Sequence, residues 1–199
     1  MDYTIRVATL EDCKDIYRMI MVSRCGDRRV AQGGTCSVCA RRTHGHSELA
    51  KHEKVSDQVK IAQRDLEQDG FSKNPFFQSI IAEVPEQHRS KDGHSKVGYA
   101  LYFFAYSSWK GRSVYMEDLY VMPEYRGKGI GKALMSKIAQ LGLAAGCNQL
   151  NFAVLNWNKE SMDFYLSQGC WDVTTGLDYH CMRCEGPALE ALARGDPKN

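Results

Sequence analysis

No apolar run in this 199-residue chain approaches the roughly 20 residues that span a bilayer. The opening residues, MDYTIRVATLEDC, lack the features of a secretion signal. An excess of one charge is missing too. Twenty-six basic residues against 24 acidic ones leave +2, which argues for neither nucleic acid nor membrane binding. Internal repeats and a second-domain boundary are also lacking. The expectation is one cytoplasmic domain, long enough to bury a core. In that compartment the eight cysteines are thiols rather than disulfides.

What is present centres on residues 117–132, EDLYVMPEYRGKGIGK. The first half alternates as a strand does. Pro123 then blocks ladder pairing, and a Gly-rich turn leads into Leu134, Ile138, Leu141 and Ala145 at helical spacing. A strand, a basic Gly-rich turn and a helix N-terminus together make an anion site. The N–H groups of Gly127, Lys128, Gly129, Ile130 and Gly131 can point at a phosphate, and Arg126, Lys128 and Lys132 add positive charge. The spacing is neither GxxxxGK[ST] nor a GxGxxG that opens a βαβ unit.

The pattern R-G-x-G-I-G-K resembles the pyrophosphate loop of the acetyl-CoA-dependent N-acetyltransferases, the GNAT superfamily. YxEDxYVMPEYRGxGIG, AVLNWNxxxMDFY and ELAKHEKVSDQVKI…DGFxxNPFF are similar to the spermidine/spermine acetyltransferase family, and most to its thialysine N-epsilon-acetyltransferase branch. The likeness covers about residues 2–21 and 48–184. It implies an α/β GNAT fold: a mostly antiparallel twisted sheet flanked by helices, with acetyl-CoA between splayed strands. It also implies a homodimer and acetyl transfer to a primary amine of a small molecule. Thialysine or a lysine-like amino acid comes first as acceptor, and a di- or polyamine second. Protein-lysine acetylation and non-catalytic acyl-CoA binding are the rival readings.

Along the chain, residues 3–7 read as a strand and Thr9 as the cap of a helix carrying Ile16, Met19 and Ile20 on one stripe. Residues 51–70 read as helix, and 76–84, 97–106, 112–121 and 150–155 as strands. Residues 159–167 read as helix, 171–175 and 179–184 as terminal strands, and 185–199 as a short helix that frays. The domain is expected over 1–184, interrupted by an irregular insertion at 22–47, with 185–199 as a tail. The insertion departs from the family. Cys36, Cys39, His44 and His46 are metal-ligand types within it. Their spacing is too short for a finger, and no apolar residues would pack one. The segment therefore reads as an irregular, translated stretch of non-coding origin with no metal assigned. Cys181-x2-Cys184 forms a second such pair, with Cys181 read as a small core residue on a strand.

An alkyl amine with pKa near 10.4 is neutral in only about one molecule in 2,500 at pH 7. Transfer from a thioester therefore asks for a base, a donor at the carbonyl and an acid for the thiolate. Glu117 and Asp118 supply adjacent carboxylates. They point to opposite faces of a regular strand unless a bulge re-aims one. The resemblance assigns Glu117 to substrate binding and proton removal. It gives the main chain of Leu119, Tyr120 and Val121 to the pantetheine arm, and a second cofactor turn to Asn158, Lys159, Glu160 and Ser161. Tyr165 becomes the general acid, and His52, Glu53, Asp118, Asn151, Phe152 and Ala153 substrate contacts. At the family's late substrate-contacting Glu this chain has Leu177, followed by Asp178.

Overall fold

The structure, a computed structural model, describes residues 1–21, 59–178 and 181–194. Two compact units emerge, Met1–Leu155 and Asn156–Asn199. The insertion at 22–47, with its Cys and His residues, lies outside the described residues.

The first unit is built on a sheet in the order β1 (Thr4–Val7), β2 (Gln78–Glu83), β3 (Lys96–Ser107), β4 (Gly111–Val121) and β5 (Leu150–Asn151). The first three pairings are antiparallel, and β4 with β5 is parallel. The expected mostly antiparallel sheet is therefore present. Among the described residues, this unit carries the helices α1 (Cys13–Met21), α2 (Gln63–Phe71) and α3 (Ile130–Ala144). β3 is buried on both faces from Val97 to Tyr102, and its hairpin end is far more exposed. Its apolar composition thus reflects a central strand covered on two sides.

α3 packs on the face that carries Gly98 and Val114. A Cβ on Gly98 would lie 3.4 Å from Leu134 Cδ1, and one on Gly142 would lie 3.0 Å from Val114 Cγ1. Leu134 and Ile138 are fully buried there. Burying each such side chain contributes about 1.5–3 kcal/mol. Cys13, Ile16, Met19 and Ile20 form the buried stripe of α1, at the spacing of one helical face. Its entry is a 3₁₀ turn, Leu10–Asp12, and the cap runs back from the carboxylate. Asp12 Oδ2 accepts from Thr9 N–H at 2.7 Å and from Thr9 Oγ1 at 3.1 Å.

Asp12 also anchors the N-terminal elements to the sheet. Its side chain is 1% exposed and takes Arg6 at 2.6 Å and Lys96 at 2.9 Å. Burial opposes its charge. Hydrogen bonds from Arg6, Thr9 and Lys96 outweigh that opposition and hold the carboxyl well below the usual carboxylate range. A depressed carboxylate contributes stability that is complete above its unfolded value near 3.9 and is lost as pH falls. Asp12→Asn is expected to cost about 3 kcal/mol at pH 7, since it removes the buried anion that Arg6 and Lys96 share and leaves them only Glu83 and Asp15. Urea unfolding of both proteins checks this. The difference should narrow progressively as pH falls below about 4.

The second unit contains α4 (Lys159–Ser167), α5 (Val173–Leu177) and α6 (Pro187–Arg194). Four readings from the sequence need correction. Residues 171–175 are not a strand. Asp172 caps a helix by accepting from Thr174 N–H at 3.0 Å and Thr175 Oγ1 at 2.8 Å, which overrides the β preference of Val-Thr-Thr. Cys181 and Cys184 are exposed and lie outside regular structure, so Cys181 is no core residue. The strand expected over 150–155 stops at Asn151. On the N-terminal side, helix occupies only 63–71 of the described part of the segment read as helical from 51.

Candidate active site

The register of β3 against β4 breaks at one place. Leu101 pairs with Asp118, but Tyr102 pairs with Met116, leaving Glu117 as an extra residue in a β-bulge. β3 continues without interruption, so Ala100 and Tyr102 share a face, and so do their partners Leu119 and Met116. The bulge therefore shifts the alternation of β4 by one residue between its two halves. It falls between the positions where two adjacent carboxylates need it. Glu117 is exposed, and Asp118 sits on the face of Tyr99 and Tyr120.

The same shift exchanges the main-chain groups that β4 offers to each neighbour. Before the bulge, Val114 N–H donates to Gln149 O at 2.9 Å, on the β5 side. Beyond it, Met122 N–H donates to Val97 O at 2.8 Å, on the β3 side. Alternation from Met122 turns Tyr120 toward β3 and directs Val121 and Leu119 to the β5 side. Register with β5 covers only Val114 and Tyr115, so Leu119 and Val121 lie beyond the last parallel pair. Of the three residues expected to offer main chain to a ligand, these two face the open edge.

Pro123 opens a 3₁₀ turn, Pro123–Tyr125, that carries the chain off the sheet. Tyr125 Oη donates to His88 O at 2.7 Å and pins that turn. The loop follows, with Gly127 at φ 70° and Gly129 at φ 84° as the cap of α3. Both angles lie in the left-handed region that favours glycine. A Cβ on Gly127 would meet nothing within 4 Å, and one on Gly129 only Tyr3 Oη, at 3.5 Å. The loop surface is thus open to close approach. Ala133 N–H bonds Gly129 O at 3.0 Å, so the donors of Ile130, Gly131 and Lys132 precede the first helical bond. Lys132 is exposed. Lys128 Nζ donates to Glu124 O at 2.6 Å and lies 5.0 Å from the Tyr125 ring centre. Arg126 Nε donates to Val121 O at 3.0 Å, and its guanidinium stands 5.9 Å from the Tyr120 ring centre.

Burial pushes the Asp118 carboxyl up to about 6, Tyr99 pulls it down, and the Glu117 charge adds to the rise. The carboxyl is densely surrounded although the residue keeps some solvent surface. Tyr99 Oη donates to Asp118 Oδ2 at 3.0 Å. Nothing in the sequence marks Tyr99, one aromatic among several on a strand, as part of this site. Only the cross-strand register reveals it.

Asn151 ends β5 opposite Tyr115, and Phe152 and Ala153 follow it outside regular structure. The remaining candidates belong to the second unit. Asn158 caps α4, its Oδ1 accepting from Ser161 N–H at 3.2 Å. Lys159 Nζ donates to Asn156 Oδ1 at 3.4 Å, and Glu160 is exposed in the first turn of α4. Tyr165 is half-buried, its ring 5.3 Å from that of Phe164. Asp178, beside Leu177, ends α5 at φ 57°. His52 and Glu53 lie outside the described residues. The structure therefore gathers the carboxylates and the Gly-rich loop in one unit and places Tyr165 with Asn158–Ser161 in the other.

The profile of the Acetyltransferase (GNAT) family matches residues 55–170. The thialysine N-epsilon-acetyltransferase of Bos taurus is 47% identical over 165 residues, which is 83% of this chain and 95% of that protein. The human spermidine/spermine N(1)-acetyltransferase-like protein 1 is 37% identical over 165 residues, which is 83% of this chain and 23% of that protein. Among solved structures, an integron cassette protein from the mobile metagenome of V. cholerae aligns with TM-score 0.66 at 22% identity. It covers 98% of this chain and 99% of that one, a likeness of fold.

Proposed function

Since the chain belongs to the GNAT acetyltransferase family, we propose that it moves the acetyl group of acetyl-CoA onto a primary amine of a small molecule. Thialysine or a lysine-like amino acid is the first choice of acceptor, by likeness to the bovine enzyme. A di- or polyamine is the second. The observation that carries this reading is the bulge at Glu117, which puts two adjacent carboxylates on the strand that runs on past its last β5 pair into the Gly-rich loop.

The residues present fit acetyl-CoA. Gly127 and Gly129 leave the loop open to a pyrophosphate. The first N–H groups of α3 and the charges of Arg126, Lys128 and Lys132 favour an anion. Leu119 and Val121 offer main chain to the pantetheine arm, and an N–H of this edge polarises the carbonyl. Asn158, Lys159, Glu160 and Ser161 supply the second cofactor turn. Bound there, the cofactor supplies an acetyl group activated as a thioester.

Glu117 removes the amine proton, directly or through a water, because its carboxyl group is exposed beside Asp118. Asp118 and Glu117 attract the cationic substrate. Asn151, Phe152, Ala153, His52 and Glu53 complete the acceptor site. Tyr165, a neutral phenol, donates its proton to the departing thiolate. A homodimer in the cytoplasm is the working form, supported by the family likeness. Among the described residues no helix is long and apolar enough to cross a membrane.

Turnover of acetyl-CoA against a panel of thialysine, lysine, diamines, polyamines and lysine peptides tests the reading. Free amines are expected to lead. Peptides alone being acetylated would move the substrate class to proteins, and no turnover with any amine would overturn the reading. Because the nucleophile must be neutral, kcat/KM for the free amine should climb between about pH 7 and about pH 9. A flat profile there would mean that amine deprotonation does not limit the reaction.

A further inference from the structure

We propose that Tyr99 is a positioning residue for the amine acceptor: its buried hydroxyl fixes the Asp118 carboxylate beside Glu117 for the cationic end of the substrate. This rests on the reading of the chain as an amine acetyltransferase.

Tyr99 is 0% exposed. A hydroxyl taken that far from water needs a partner, and an apolar ring would fill the same space without that demand. On the same strand Phe103 packs without a hydroxyl, stacking on Tyr115 at 5.2 Å between ring centres. Tyr102, the other buried phenol of β3, sends its hydroxyl to Gln78 Oε1 at 2.9 Å, away from the carboxylates. Tyr99 instead aims its hydroxyl at Asp118 Oδ2, at 3.0 Å. The register makes this contact possible. Tyr99 pairs with Tyr120 and Leu101 with Asp118, so the phenol reaches diagonally across one face. Continued in register from Met116 with Glu117 across from Leu101, the strand would put Asp118 across from Ala100, on the opposite face.

The groups acting on the Asp118 charge are Tyr99 from β3 and Glu117 from β4 itself. On α1, which packs on β3, Asp15 and Arg18 pair with each other, and Asp15 takes Lys96 at 3.1 Å. Burial and the neighbouring Glu117 both disfavour the Asp118 anion, and the Tyr99 hydroxyl is the donor that opposes them. With the carboxyl at about 6, roughly nine in ten molecules carry the charge at pH 7. Loss of the donor moves the titration upward, into the range where the enzyme works.

The test is Tyr99→Phe, which keeps the ring, with kcat and KM for amine and acetyl-CoA measured from about pH 5 to about pH 9. In the unaltered enzyme, log(kcat/KM) for the amine rises with unit slope above about pH 6, from amine deprotonation alone. Below that pH it steepens, as Asp118 protonates as well. In Tyr99→Phe the break should move up by about one pH unit. The amine KM at pH 7 should rise by roughly three- to tenfold, with acetyl-CoA affinity unchanged. Replacing Tyr99 by 3-fluorotyrosine, a stronger donor on the same ring, should move the break down. Asp118→Asn should abolish it. A break that stays put in both Tyr99 variants, or equal weakening of both substrates, would reduce Tyr99 to a packing residue. If the unaltered protein acetylates no amine, the parent reading fails by itself. Carbon NMR titration of the Asp118 carboxyl then decides the Tyr99 contact: an upward shift in Tyr99→Phe upholds it, and an unchanged titration overturns it.

Discussion

Tyr165→Phe is expected to lower kcat by about 10²–10⁴-fold while leaving acetyl-CoA affinity nearly as it was. The substitution keeps the half-buried ring and its approach to Phe164, so α4 should form as before. Only the hydroxyl is lost. A thiolate leaving without an acid departs at higher energy, and a positioned acid typically contributes a factor of this size. In the proposed site, acetyl-CoA binding would draw on the Gly-rich loop, the strand edge and the first turn of α4, none of which includes the Tyr165 hydroxyl. Stopped-flow or steady-state rates, paired with calorimetric binding, separate the two effects. A fall of less than about threefold would make Tyr165 a packing residue.

Gly129→Glu is expected to weaken acetyl-CoA binding by at least about a hundredfold in a protein that still folds. The substitution sets a carboxylate where a pyrophosphate would approach. Two like charges about 4 Å apart near a surface repel by about 4 kcal/mol. The position also imposes strain, because φ is 84° and side chains rarely adopt that angle. Gly129→Ala carries the same strain without the charge, and its Cβ has room, with Tyr3 Oη at 3.5 Å as its nearest neighbour. The alanine variant should therefore lose a little stability and little affinity. Equal calorimetric affinity in the folded glutamate variant would remove the loop from the cofactor site.

Both expectations were within reach of the sequence because the loop and α4 are governed by local rules. Gly127 and Gly129 at positive φ, Pro123 at the turn and Asn158 at the cap each declare their backbone state. The long strands β3 and β4 were legible because they are rich in aromatic and apolar residues. What escaped depends on distant partners. Val-Thr-Thr reads as strand until Asp172 caps it as helix. Cys181 reads as core only if a strand carries it, and none does. The bulge could be named as a condition for Glu117 and Asp118 to act together. Its presence depends on how β3 pairs with β4, which no local pattern records. Tyr99 is invisible for that reason too, since its role follows from the residue it faces 19 positions away.

The extra residue in β4 also makes the strand count its own length. Its halves are packed out of phase by one position, and each half is correct only relative to the other. A change of side chain at one position disturbs that position alone. Loss of a single residue between Met116 and Leu119 would instead remove the bulge, because the residues on either side could then pair with β3 as in a regular strand. Leu119, Tyr120 and Val121 would keep their present partners, and of the two adjacent carboxylates one alone would remain, across from Leu101. Descendants of this sequence can therefore shorten the EDLYV segment by one residue and keep the packing and the open edge, but not the pair of adjacent carboxylates.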